Sequence, residues 1–252
     1  MKRKLHTFFC SSDDDIQKFF DASAPDYKEQ HGNAKKLFHY RFTLIQQFAR
    51  LSKNDVLLDL GCGTGSHLFA LAPYIKQGIG IDFSPKMIEI AQHDQKNHPE
   101  IKNISFQIDQ AQMLTTIPDQ SIDIVLAVGA FEHMPHKKHV LQQIYRVLKI
   151  PGRLLFLTPN GNFIWYRSIA PLFHIPTRHL STDEFVTADW MEKSLKEAGF
   201  AQPEFAFWTF IPRGDMSWGW GTLLSILDFV GKLCWPAYLR SGLIIRATKT
   251  NN

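Results

Sequence analysis

Between residues 56 and 65 the chain reads Val-Leu-Leu-Asp-Leu-Gly-Cys-Gly-Thr-Gly. One acid, Asp59, stands near the end of the apolar run, and glycines follow at 61, 63 and 65. Glycines allow a tight turn and let a ligand reach main-chain N–H groups with no Cβ in the way. A second acid, Asp82, closes the next apolar run, Gly78–Ile81. A carboxylate at that place suits a ribose diol. Asp82 also reads as an acid ahead of a helix start, because Ser84 and Pro85 make a good N-cap and first helical residue. The two roles are compatible. Further on, Glu132 and His133 follow the apolar run Ile124–Val128 and are side chains able to take a proton. The chemistry implied is nucleotide binding beside a proton acceptor.

The elements that must position these residues alternate between two periods. Val56–Leu60 reads as a buried parallel strand, and the amphipathic segment Ser66–Lys76 reads as the helix after it. Strand, glycine turn and helix make a nucleotide-type site at a strand's carboxyl end. Further strands are expected at Ile104–Ile108, Ile124–Val128 and Leu154–Thr158. A helix from about Lys137 to Leu148 carries Val140, Leu141, Ile144, Val147 and Leu148 on one face. Residues 13–51 read as two helices, with Leu37, Tyr40, Leu44, Ile45 and Phe48 at helical spacing. Thr187 and Asp189 open a late helix that stops at Gly199-Phe200. Phe205–Phe210 and Leu243–Thr248 read as a final strand pair.

The glycine spacing is G-x-G-x-G after an acid, not G-x-G-x-x-G, because Ser66 stands where the last glycine of a dinucleotide loop would fall. This form resembles the S-adenosylmethionine (SAM) loop of class I (Rossmann-like) SAM-dependent methyltransferases, the type 11 group that includes ubiquinone and menaquinone biosynthesis methyltransferases. Other segments arrive in family order. Residues 80–91 resemble "G-x-D-x-S-x-x-M-x-x-x-A", residues 118–125 "P-D-x-S-F-D-x-V", and Phe131-Glu132-His133 "L-E-H". Residues 146–153 resemble "R-V-L-K-P-G-G" with the proline one place late. Phe19, Phe20 and Tyr27 resemble the family's N-terminal segment, and the helix ending at Phe200 its late "L-x-x-A-G-F".

The resemblance implies an α/β fold: a seven-stranded, mostly parallel, doubly wound sheet with its last strand antiparallel, helices on both faces and an N-terminal helical cap. It implies SAM as cofactor and S-adenosylhomocysteine as product. The cofactor loop would be Asp59, Gly61, Cys62 and Gly63, with Val128 at the end of the fourth strand bordering the site. Asp82 would bind the ribose, Phe83 and Met87 would flank the adenine, and Tyr27 would close over the cofactor; ordinary core packing is the competing reading for those three. Asp109-Gln110-Ala111 stand where the family has Gly-Asp-Ala, so the adenine-amine contact falls to Asp109 or Gln110. Glu132 and His133 are the candidate bases, and each also reads as a side chain ordering its loop. His136, His174, His179 and Asp183 are more distant candidates. The Asn/Asp-Pro-Pro-Tyr/Phe motif of base and amide methylases is absent, its place taken by Val128-Gly129-Ala130-Phe131.

With 252 residues and 44% hydrophobic content, one domain with a sizeable core is expected. Its parts would be a cap at about 11–51, a SAM-binding core at about 52–160, and insertions at about 159–182 and 211–240 forming an acceptor-side lid. The net charge is +4 with acids and bases interspersed, so no nucleic-acid partner is expected. Three scattered cysteines suit a reducing, cytoplasmic compartment and imply neither a disulfide framework nor a metal site. The apolar stretch near the N-terminus is too short for a signal peptide, and no run of about 18 apolar residues predicts a membrane span. In the second insertion, Leu223, Ile226, Leu227, Val230 and Cys234 share a helical face, and Trp208, Trp218, Trp220 and Trp235 cluster around it. That face reads as core, as the wall of an apolar acceptor pocket, or as a dock for a membrane surface or partner. The expected activity is methyl transfer to a small, largely apolar or aromatic acceptor, oxygen favoured. The rivals are a non-catalytic SAM-binding or partner-binding protein and a nicotinamide-dependent dehydrogenase, the latter opposed by the glycine spacing.

Overall fold

The computed structural model describes residues 7–29, 34–209, 226, 229–231 and 234–251. Of the proposed face in the second insertion, Leu223 and Leu227, with Trp218 and Trp220, lie outside the described residues; Ile226, Val230 and Cys234 are described and exposed, against the core reading for them. Seven strands form one sheet: β1 (Val56–Leu60), β2 (Gln77–Asp82), β3 (Ile104–Ile108), β4 (Ile122–Val128), β5 (Leu148–Pro159), β6 (Ala201–Trp208) and β7 (Gly242–Lys249). Their spatial order is β3-β2-β1-β4-β5-β7-β6. All neighbouring pairs up to β5 are parallel, and β7 runs antiparallel between β5 and β6. The expected architecture is thus found, with β7 as the single reversed strand.

Side-chain alternation along the central strands feeds two cores. Leu58, Leu60, Val125 and Ala127 face a cluster with α5 (Lys137–Val147) and the helix Ala188–Glu197. Leu57, Ile124, Leu126 and Val128 face the other, with α2 (Ala34–Ala49), α3 (Ser66–Leu71) and α4 (Pro85–Lys96). A central strand buried on both sides explains the unbroken apolar runs in the sequence.

Several boundaries differ from expectation. The helix after the glycine loop ends at Leu71, because Pro73 follows and the chain tightens into a 3-10 turn over Ala72–Tyr74. β5 begins at Leu148, where a short parallel pairing with Ile122 precedes the main register. β6 begins at Ala201 and ends at Trp208, earlier than Phe205–Phe210, because its polar residues face outward on an edge strand. Helix starts are read correctly: the Ser84 and Thr187 hydroxyls accept from Met87 N and Trp190 N.

The N-terminal helix α1 (Asp13–Ser23) is fastened to the mouth of β2. Gln17 Nε2 donates to the Phe83 carbonyl at 2.8 Å, and the Asp21 carboxylate accepts from Ser84 Oγ at 2.5 Å and Lys86 N at 3.2 Å. These bonds bring Phe20 and Tyr27 over the carboxyl ends of the strands.

Candidate active site

The glycine loop folds back on β2: Gly61 N and Cys62 N both donate to the Ile81 carbonyl at 2.9 Å. Gly61 and Gly63 have φ of 71° and 54°, a region costly for residues with a Cβ. A Cβ on Gly63 would stand 3.3 Å from the Tyr27 ring, and one on Gly61 2.7 Å from Ala130. The loop is thus closed from above by the tyrosine. Asp82 bridges loop and helix, accepting from Gly63 N and Ser84 N at 2.9 Å each. Burial pushes its carboxyl above the ordinary value, against those backbone bonds.

A cleft of about 710 Å³, counted to its open mouth, lies between this loop and α1. Tyr27, Gly61, Gly63, Asp82, Phe83, Met87, Asp109, Ala111 and His133 all line it. Nine of the residues singled out in the sequence therefore converge there. Asp59, Cys62 and Val128 border an adjoining recess behind the loop, which shares Tyr27 and Gly61 with the cleft.

In that recess Asp59 Oδ2 is buried without a hydrogen-bond partner among the described residues. Burial, and next the Asp82 charge, push its pKa up to about 7. Arg41, on α2, faces the same recess. Its guanidinium lies where a Cβ on Gly129 would meet Nη2 at 3.0 Å. Burial lowers its pKa, opposed by Tyr27 and Glu132. Tyr27 and Tyr166 are pushed up to about 12, chiefly by burial, so both are neutral donors at working pH. An orphaned carboxylate and an arginine lining one recess, next to a backbone cradle, suit a ligand carrying both an ammonium and a carboxylate, as SAM does.

Asp109 is less free than expected. Its oxygens accept from Gln110 N at 2.7 Å, Thr116 N at 2.8 Å and Thr116 Oγ1 at 2.6 Å. Burial raises its pKa but these bonds outweigh it, and the net shift is downward. Gln110 is exposed and outside the lining; its Oε1 accepts from Gln112 Nε2 at 3.1 Å. Gln112 is the glutamine that faces the cleft, opposite Asp13. No signal in the sequence distinguished it from Gln110.

His133 lines the cleft with a fixed partner behind it. Its Nδ1 lies 2.6 Å from Asp183 Oδ1, and the Asp183 side chain is wholly buried. Asp183 Oδ2 accepts from His179 N and Leu180 N at 2.9 Å each, which fixes its position. Burial lowers the His133 pKa, but the Asp183 hydrogen bond and nearby acids carry the net shift upward. Asp183, expected as a distant alternative base, is instead the partner that orients His133. Glu132 is turned inward: it is 4% exposed, lines neither cavity, and accepts from Thr158 Oγ1 at 3.1 Å. Its carbonyl takes Lys137 Nζ and Glu184 N, so the residue orders the loop. His136 and His174 are exposed, away from the cleft lining.

Residues 51–217 match the family model described as a methyltransferase domain. The chain belongs to this family. It is a class I SAM-dependent methyltransferase. The demethylmenaquinone methyltransferase of Lactiplantibacillus plantarum is 29% identical over 218 residues, spanning 77% of this chain and 91% of that relative. The ubiquinone biosynthesis O-methyltransferase of Coxiella burnetii is 32% identical over 158 residues, spanning 61% of this chain and 64% of the relative. Among solved structures, Haemonchus contortus phosphoethanolamine N-methyltransferase 2, in complex with phosphomonomethylethanolamine and S-adenosylhomocysteine, aligns with a TM-score of 0.66. At 18% identity, with 94% of this chain and 60% of that one covered, the likeness concerns the fold. Among the described residues, no cluster of metal-ligating side chains and no helix able to cross a membrane is found in this methyltransferase.

Proposed function

We propose that this enzyme methylates a hydroxyl oxygen of a small, largely apolar acceptor, with His133 as general base. The observation that carries this reading is the His133–Asp183 pair at the cleft. With Nδ1–H donated to a fixed carboxylate, Nε2 is the nitrogen left to accept a proton. When bound, SAM supplies an electrophilic methyl group on a cationic sulfonium. Asp82 would hold its ribose, Gly61 and Gly63 its backbone contacts, and Asp59 with Arg41 its charged end. Phe83, Met87 and Ala111 would flank the adenine, and Tyr27 would cover the loop and exclude water. Because such a leaving group is already activated, the protein's share is orientation and removal of the acceptor's proton.

An apolar acceptor is supported by Ile16, Phe20 and Met134 in the lining, and an oxygen acceptor by the printed name of the Coxiella relative. We take the chain as one domain acting on a small molecule, without a nucleic-acid partner. The test is turnover of a panel of phenols, quinols, amines and carbon acids with methyl-labelled SAM, the product's methyl position read by NMR. Methyl on oxygen, lost in His133→Ala at unchanged SAM affinity, is the expected result. Methyl on carbon or nitrogen, or full activity in His133→Ala, overturns it.

A further inference from the structure

Lys137 stands where two local rules disfavour it. It opens α5, whose first turn carries Lys137 and Lys138 and no acid. A cation there opposes the positive end of the helix. It is also buried, at 6% exposure, and lysine is almost never buried without partners. A residue set against both its helix and its solvation is kept in place by what its ammonium contacts.

That ammonium joins two segments that meet only in the folded chain. Nζ donates to the Met134 carbonyl at 2.8 Å and to the Glu132 carbonyl at 3.3 Å, the residues on either side of His133. It pairs with the Glu184 carboxylate at 3.6 Å, one residue past Asp183. Glu184 N donates to the same Glu132 carbonyl at 3.1 Å. An ammonium has only donors to offer, and here they find acceptors on both the His133 turn and the Asp183 segment. The Phe131 ring, its centroid 5.7 Å from Nζ, adds a cation–π contact. The Glu184 carboxylate is exposed, so that ion pair by itself stabilises little. The two carbonyl bonds are the buried part of the clamp.

We propose that Lys137 is a positioning residue, which clamps the His133 turn to the Asp183 segment and sets a positive charge against protonation of the His133 ring. The groups facing that ring are Asp183 and His179 from one segment, Glu132 and Lys137 from its own side, and the Phe20 ring from α1. Asp13, Asp82 and Asp109 line the same cleft. Asp183 and Glu132 favour the imidazolium, while burial and the Lys137 charge oppose it. The acids thus hold the ring in place at the risk of keeping it protonated, and Lys137 offsets them. Without that charge His133 would stay protonated to higher pH, and less of the free base would be present near neutrality. The effect on rate rests on His133 being the base; the clamp and its charge do not.

The test is the His133 titration itself, followed by NMR of the full chain labelled with ¹⁵N-histidine and needing no acceptor. Lys137→Gln keeps N–H donors and loses the charge, so His133 should titrate higher by about half a pH unit or more. Lys137→Arg keeps the charge and should titrate like the parent. With the acceptor that the panel turns over fastest, Lys137→Gln should lose kcat near neutral pH and recover it at higher pH. Lys137→Met lacks the donors as well, and its high-pH plateau should fall about tenfold or more as the ring loses its alignment. SAM affinity should be unchanged throughout. A His133 titration that stays put in natively folded Lys137→Gln overturns the proposal. So does a kcat loss that persists at every pH in Lys137→Gln, or SAM affinity that falls with kcat. Should Lys137→Met not fold, Lys137→Gln and Lys137→Arg decide. Full activity in His133→Ala would sink the base reading and leave the titration test standing.

Discussion

Asp82 draws its partners from Gly63 and Ser84, 19 and two residues away, whereas Asp183 reaches its histidine across 50 residues. The strand–loop–strand–helix unit at residues 56–96 brings Gly61, Gly63, Asp82, Phe83 and Met87 to the cleft from one contiguous stretch. The part around His133 is assembled from three distant pieces: Phe20 of α1, His133 after β4 and Asp183 before the late helix. A local unit tolerates change elsewhere in the chain. An assembled one depends on every element that meets there, so its chemistry can vary while the cofactor site stays put.

The sharpest break between the halves is His133→Ala. It should lower kcat by about 10²- to 10⁴-fold with SAM affinity unchanged in calorimetry. With His133 as the proposed base, the free imidazole is the form that takes the proton, so log kcat should rise with pH through the His133 ionisation. Since Asp183 raises that pKa, Asp183→Asn should move the rise to lower pH as well as slow the reaction. A profile that does not move would make Asp183 merely structural.

Gly63→Val is the counterpart on the other half. Left-handed backbone strain plus collision with Tyr27 should weaken SAM binding by about a hundredfold or more, while circular dichroism stays native. Retained affinity would place the cofactor elsewhere. Asp82→Ala should cost about 1.5–3 kcal/mol of SAM binding, the range for hydrogen bonds to a charged group. Its loss should leave the pH profile of kcat unmoved, which distinguishes it from Asp183.

The smallest expected effect concerns Asp59. Its pKa of about 7 means the carboxylate is largely protonated below that pH in the free enzyme. A cationic ligand end favours the anion, so SAM affinity should rise about tenfold between roughly pH 6 and pH 8. Asp59→Asn should flatten that slope. A slope that survives the substitution would assign it to another group.

What the sequence alone determined is the part whose physics is local. An acid-ended apolar run, glycines where the backbone turns left-handed, and a serine-proline helix start specify β1, the loop, β2 and α4 without reference to the rest of the chain. Motif order then made the family and the seven-stranded sheet legible, down to the reversed last strand. Tertiary structure alone decided which polar side chains face the cleft. Nothing near Glu132 in the sequence says that it turns inward to Thr158 while His133 turns outward, nor that Asp183 stands behind the histidine. The Asp109 carboxylate is captured by Thr115 and Thr116, and Gln112, not Gln110, is the glutamine that lines the cleft. Arg41 lies on a helix that reads as packing, and it becomes a candidate ligand group because α2 crosses the end of β4 at Gly129. Those outcomes depend on distances between elements far apart in the chain, which side-chain type and spacing do not encode.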